Sequence, residues 1–324
     1  MPEMRNLGHI DRALTNISVA YMQSADAFIA DKVFPIVPVS KRSDIYFQYS
    51  KADMFRNEVQ ERGRGAESAG GNWNLTEADP YFCRRYAYHY DITEEERANY
   101  DAPINVERDT TEWLAHKMLL HREVQFTDKF FKTGVWGKDI TVDGTTIKKW
   151  SDPASDPIKM VNEVMLEMAE NTGMKPNFAI MAPDVFYALK NHDAIIDRIK
   201  YTQKGIVTAD LIASLFEVDK IFIPWGIENA GPQTPGYDEE NTDMKFLYKG
   251  QMLLGHRTAR PSLKSPTAGY IFAWNGLMPN AYGARLVRIP MDHLGLGTER
   301  FEMEAAFDMK VICKDLGTFM TGLV

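Results

Sequence analysis

SDIYFQYS (residues 43–50) and, after a charged, glycine-rich interval, YFCRRYAYHYD (residues 81–91) are the stretches from which the rest of the chain is read. Side chains alternate across a strand, so Ile45, Phe47 and Tyr49 share one face of the first stretch and Tyr86, Tyr88 and Tyr90 share one face of the second. The interval RNEVQERGRGAESAGGNWN (residues 56–74) carries Arg62, Arg64, Glu67 and Trp73 among Gly63, Gly65, Gly70 and Gly71. Together these segments predict one long β-hairpin loop over residues 41–96 with almost no interior of its own. Ordering each residue costs about 1–2 kcal/mol in backbone entropy, and an isolated two-stranded hairpin is marginal in water. Such a loop must borrow its apolar contacts, and another copy of the same chain is the nearest source. The chain reads first as an assembly subunit.

Composition agrees with that reading and excludes several others. At 324 residues the chain exceeds a single compact core, so a domain with extensions or two domains are expected. Its 44% hydrophobic and 25% charged residues are those of an ordinary globular protein. A formal net charge of −8 argues against a surface that neutralises phosphates along a duplex. Cys83 and Cys313 are too few for a disulfide framework and lack metal-ligand spacing. No apolar run is long enough to cross a bilayer, and the first residues lack the apolar segment of a signal peptide, so synthesis in the cytoplasm and no membrane partner are expected.

Along the chain, residues 1–40 read as a tether with a short helix over 16–32 and an extended path through Pro35 and Pro38. Charges and Pro103 mark a boundary after residue 91, with Asp101 suited to start a helix. Residues 104–132 carry Val106, Trp113, Leu114, Met118, Leu120, Val124 and Phe131 at helix-compatible spacing, which predicts a helix roughly 40 Å long. Asp143-Gly144 between two β-branched runs predicts a hairpin. From residue 157 the pattern changes to a compact α/β unit: helix 158–171 with Gly173 as its cap, strand 177–181, helices 183–191 and 208–216, and strand 220–224. The ending RFEMEAAFDMKVICK alternates Phe301, Met303, Ala305, Phe307, Met309 and Val311 with polar or small residues, the pattern of a half-buried strand worth on the order of 10 kcal/mol of burial. Trp113, Leu120, Val124, Phe301, Met303, Phe307 and Met309 are the core candidates, with the closing strand packed on the long helix.

No constellation carries chemistry, so no catalytic, cofactor or metal site is assigned. Glu112, His116, His121 and Glu123 lack the HExxH arrangement, and histidines five apart do not share a helix face. Gly63 to Gly71 fits neither the dinucleotide nor the Walker spacing, and Glu94, Glu95 and Glu96 read as an acidic first helical turn.

Four blocks in succession carry a family resemblance: RGRGAESAGGNWN, DITEEERANYDAPINVERDTTEWLAHKMLLHREVQFTDKFFKTGVWGKDIT, LKNHDAIIDRIKYTQKGIVTADLIASLFEVDKIFI and ERFEMEAAFDMKVICKDLGTFMTGLV. They resemble major capsid proteins of tailed double-stranded DNA bacteriophages. The resemblance implies an α+β fold of the Hong Kong 97 type. Mapped onto this sequence, it gives an N-terminal arm (1–40), an extended loop (41–96), a peripheral domain with a spine helix (97–152), an axial α/β domain (153–289) and a return strand to the peripheral domain (290–324). It further implies a structural, non-enzymatic subunit that forms hexamers and pentamers of an icosahedral head. The head encloses packaged DNA without gripping it; the virion is assembled in the host cytoplasm with a separate scaffolding protein, a portal and possible decoration partners. Ile45, Phe47, Tyr49, Arg62, Arg64, Glu67, Trp73, Tyr86, Tyr88 and Tyr90 become candidates for subunit contact. An encapsulin-type nanocompartment shell, and more remotely a soluble α/β enzyme with a dimerisation arm, are the alternatives.

Overall fold

The computed structural model describes residues 22–77, 79–99, 105–199, 207–231, 243–261 and 265–324. Its organising element is the closing strand, Glu299–Val311. One edge pairs antiparallel first with Arg285–Pro290 and then with Gly269–Trp274; the other pairs with Arg84–Ile92 along that strand's nine residues. Ile36–Val39 extends the sheet parallel to Gly269–Trp274. The odd-numbered face of the closing strand is buried as the alternation predicts: Phe301, Met303, Ala305, Phe307 and Met309 are all buried, with Val311 half-buried at the end.

That face packs on the long helix, Val106–Phe130, whose first turn is capped by Asn105 accepting from Arg108 N. Its buried row is Thr110, Leu114, Met118, Arg122, Phe126 and Phe130, a four-residue spacing that keeps Leu114 and Met118 of the apolar set expected from the sequence. Trp113 is half-buried against the core, whereas Leu120 and Val124 are half-buried outside it, a correction that follows from the helix having turned its Leu114–Met118 edge inward.

A second sheet runs Lys138–Thr141, Gly317–Thr321, Gln251–Gly255, Phe178–Met181 and Lys220–Phe222 in spatial order. Helices Pro157–Thr172, Pro183–Lys190 and Ala209–Leu215 fall where periodicity placed them, and Asp156 and Thr208 cap the first and last through Lys159 N and Leu211 N. Gly173 closes Pro157–Thr172 with φ 71°, a conformation that suits a residue without Cβ. The helix Asp193–Ile199 has no counterpart in the sequence reading. The Asp143-Gly144 hairpin does not form. The Asp143 carboxylate instead accepts N–H groups from Thr145, Thr146 and Ile147 at 2.9, 2.8 and 3.1 Å, and Lys138–Thr141 pairs with the chain terminus.

The described part of the first forty residues is no tether. Only a 3-10 turn, Ala25–Ala27, occupies 22–32, while Phe28, Ile29, Ala30, Val33 and Phe34 are buried and Phe34 stacks among Phe126, Phe130 and Phe178. Residues 16–21 of the expected helix, the rest of the arm before them, and Asp101 lie outside the described residues.

Candidate assembly surface

The loop after Ser40 departs from the expected hairpin in an informative way. Its two aromatic strands pair only at their base and middle: Ser43–Asp44 with Tyr81–Phe82, and Phe47–Tyr49 with Leu75–Glu77. Beyond Cys83 the return strand leaves and joins the closing strand. The reason is the partner's apolar face: nine ladder positions there outweigh what a free ribbon offers, and Tyr86, Tyr88 and Tyr90 turn onto the long helix. Tyr88 and Tyr90 lie 5.4 and 6.0 Å from the Trp113 ring, and Tyr86 sits 5.0 Å from Phe307 and 4.5 Å from His121. Tyr86, half-buried, packs between sheet and helix of its own chain and is corrected as a subunit-contact candidate, whereas Tyr88 and Tyr90 touch Trp113 yet stay 45% and 38% exposed and remain candidates.

The outbound strand and the tip have no such interior. Ile45, Phe47, Tyr49, Met54, Phe55, Val59, Trp73, Leu75 and Phe82 are exposed, Phe47 by 62%, Phe55 by 66% and Val59 by 89%. So many exposed apolar side chains gathered on one loop mark it as a candidate interaction site. Tyr49 and Trp73 face each other at 5.5 Å across the loop, and Arg62 Nε donates to Ala66 O at 2.7 Å, which curls the tip. Arg62, Arg64 and Glu67 are exposed.

The loop's base is held firmly, with Tyr81 stacked on Phe272 at 4.5 Å and Lys310 Nζ donating to Asp79 O and Pro80 O, and beyond it the loop meets the body at few points. Ser50 caps a single turn, Lys51–Met54, from which Lys51 reaches Asp315 at 2.9 Å; Gln48 Nε2 donates to Ile312 O at 2.8 Å. A Cβ placed on Gly173 would meet Phe55 Cε1 and Cζ at 3.3 Å, so the Phe55 ring rests on that bare α-carbon. Beside Lys51 lies a cleft of about 170 Å³ lined by Lys138, Val164, Glu167, Met168 and Asp315.

The outer face of the first sheet is tied by charge. Asp91 accepts two bonds from Arg300 directly opposite, at 2.7 and 2.8 Å, and the Arg300 bond holds its carboxyl below the usual range. Glu304, buried, takes Arg285 from one neighbouring strand and Arg85 from the other. Glu94–Asn99 begins with a reciprocal cap: Glu96 N donates to Thr93 Oγ1 and Thr93 N to Glu96 Oε2, so the acidic run is a helix start.

His116 accepts from Gln23 N, and burial pushes both His116 and His121 below the ordinary imidazole range; no metal-binding group of His, Cys, Asp or Glu exists among the described residues. Ser155 Oγ lies 3.0 Å from His192 Nε2, a pair the sequence did not suggest. His192 Nδ1 accepts from Ala194 N, which puts the proton on Nε2, so this histidine caps a helix and has no lone pair with which to activate the hydroxyl. Burial drives the Cys83 thiol up to about 12 and raises that of Cys313, the opposite of a nucleophile. No helix of the described residues is long and apolar enough to cross a membrane.

No family model matches the chain. It is 24% identical over 223 residues, 69% of its length and 71% of the relative's, to the major capsid protein of Burkholderia phage BcepMu. In structure it resembles a phage-related protein of Bordetella bronchiseptica, with TM-score 0.66, 19% identity and 92% of each chain covered. It also resembles the capsid of cyanophage P-SCSP1u, with TM-score 0.61 and 10% identity over 97% of this chain and 92% of that one. The fold is therefore that of phage capsid subunits.

Proposed function

We propose that this chain is a major capsid protein, a structural and non-enzymatic component of a tailed phage's shell. The observation that carries this reading is the loop's exposed apolar series, from Phe47 through Phe55 and Val59 to Trp73, on a chain that shares its fold with capsid subunits and is 24% identical to a named one over 223 residues. Copies would form hexamers and pentamers, with Ile45, Phe47, Tyr49 and Trp73 seated on a neighbour and Arg62, Arg64 and Glu67 fixing register by charge matching. Repetition makes modest contacts sufficient, because each closed ring adds every interface at once. A division into arm, extended loop, peripheral domain and axial domain would supply the rigid body and the protruding contact this needs. A net charge of −8 suits a shell that encloses DNA without gripping it, filled in the host cytoplasm with help from a separate scaffolding protein and a portal.

The test is electron microscopy of the expressed chain, alone and with the genes beside it. Closed icosahedral particles are expected. A small monodisperse oligomer under every condition would overturn the reading.

A further inference from the structure

Residues 28–34 cross the body between the long helix and the second sheet without a ladder of their own, Phe34 touching Phe126 and Phe130 on one side and Phe178 on the other. Phe28, Ile29, Ala30, Val33 and Phe34 are buried there, so the segment's amides must find acceptors outside regular structure. Two of them, Ile29 N and Ala30 N, donate to one atom, Glu123 Oε2, at 3.0 and 2.8 Å, and the Tyr248 hydroxyl donates to Glu123 Oε1 at 2.5 Å. Arg257 Nη1 donates to the Lys32 and Val33 carbonyls, both at 2.6 Å. The segment then runs into Ile36–Val39, an edge strand of the first sheet, and on into the protruding loop, so its seating fixes the loop's root.

Glu123 is completely buried, and no cation of the described residues pairs with it. On its own helix Arg122 is turned to Tyr282, with Nη1 donating to the Tyr282 carbonyl at 3.1 Å, and His116, two turns away, accepts from Gln23 N at 3.3 Å. The segment brings Asp31, an acid that disfavours a second negative charge, while its Lys32 reaches Asp26. Tyr248 and Tyr282, from two further loops, are buried and pushed up, so both stay neutral. An ionised carboxylate in this place is a buried charge without a counter-ion, the arrangement that favours the neutral acid. Burial pushes the Glu123 carboxyl up, against the opposing pull of its three donors. Once the segment lifts away, water reaches the carboxyl and its ordinary acidity returns.

We propose that residues 28–34 dock with a proton held on Glu123, so that loss of this proton loosens the segment and with it the root of the protruding loop. The inference goes beyond the shell-subunit reading and does not depend on it. Because the docked state holds the proton more tightly than the open one, docking weakens as pH rises above the ordinary glutamate value, by up to tenfold per pH unit, until the docked group has ionised. His116 acts in the opposite sense: burial holds it below the ordinary imidazole range, so its protonation weakens docking in acid.

The test is hydrogen exchange at the Ile29 and Ala30 amides of the full chain between pH 5 and 9, read as protection factors so that the base-catalysed chemistry of exchange cancels. Glu123→Gln keeps an acceptor for both amides and leaves His116 in place, so the difference between the two proteins belongs to the Glu123 proton. Protection in the parent is expected to fall with pH relative to that variant. Tyr248→Phe takes one donor from the carboxylate while keeping the ring, so the fall should run on to a higher pH before it levels. Identical pH profiles in the parent and Glu123→Gln, or an unmoved levelling point in Tyr248→Phe, would overturn the proposal. So would protection at Ile29 and Ala30 equal to that at the centre of the closing strand at every pH, since the effect would then belong to global unfolding and not to this segment.

Discussion

At the residue scale, Glu123 shows how a polar side chain can organise a core. Its Oε2 accepts N–H from Ile29 and Ala30 at 3.0 and 2.8 Å, and its Oε1 accepts from the Tyr248 hydroxyl at 2.5 Å, so one carboxylate joins the N-terminal segment, the long helix and the second sheet's approach. Burial pushes its carboxyl above the ordinary range, against the lowering effect of Tyr248 and the two amides. A carboxyl whose folded value is raised contributes stability that is complete below its unfolded value and is lost as pH rises through the folded one. Glu123→Gln keeps acceptor and hydrogen-bonding capacity without the charge, so it is expected to unfold within about 1 kcal/mol of the parent and to lose less stability as pH rises. Glu123→Ala strands two amides and a hydroxyl and is expected to cost about 2–4 kcal/mol. Denaturant titrations between acidic and neutral pH distinguish the two; equal, pH-independent losses would contradict this account. A core aromatic gives the second test: Phe307, wedged 5.0 Å from Tyr86 and 5.3 Å from Tyr282, should cost about 3–5 kcal/mol as Phe307→Ala.

At the element scale, what could be read in advance was whatever depends on neighbours in sequence. The period-two alternation of residues 301–311, the helix 158–171 and its Gly173 cap required only local geometry and appear almost where expected. The partner of the return strand did not, because Arg84–Ile92 pairs with residues more than two hundred positions away, and alternation cannot say which of two partners wins. Likewise Arg122 and Glu123 look like surface residues of a helix, and only their distant partners, Tyr282 and the arm, make their burial tolerable. Of the proposed contact residues, the exposed Ile45, Phe47, Tyr49 and Trp73 were legible as apolar side chains without an interior, whereas Tyr86 had one that the sequence concealed, and Tyr88 and Tyr90 are covered by Trp113 on one side only. The return strand's hold on the closing strand can be weighed at Asp91. Because Arg300 lowers its carboxyl value, its contribution is present above the unfolded value near 4 and is lost as pH falls through the folded value. Both side chains are partly solvated, so Asp91→Asn is expected to cost only about 0.5–1 kcal/mol at neutral pH and nothing in acid, measured by thermal melting at both.

At the scale of the whole molecule, folding and association draw on separate surfaces. The core spans both sheets, the long helix and the N-terminal segment, and none of the tip, residues 56–74, belongs to it. Those residues are exposed throughout, and their removal takes away no buried contact of the subunit. Replacing residues 57–73 by a short glycine-serine bridge should therefore leave the melting temperature of the dilute subunit unchanged, since Gln48, Lys51 and Phe55 still tie the loop's base to the body. The same change removes Val59, Arg62, Arg64, Glu67 and Trp73, and with them the apolar and charged groups proposed to reach a neighbour. Shell formation is expected to fail while the chain remains folded, which calorimetry and electron microscopy of the same preparation measure together. Loss of melting temperature would place the tip in the fold itself, and intact shells would move the interface elsewhere. Only the split outcome, an unaltered fold without closure, is what a tiling unit with a protruding contact predicts.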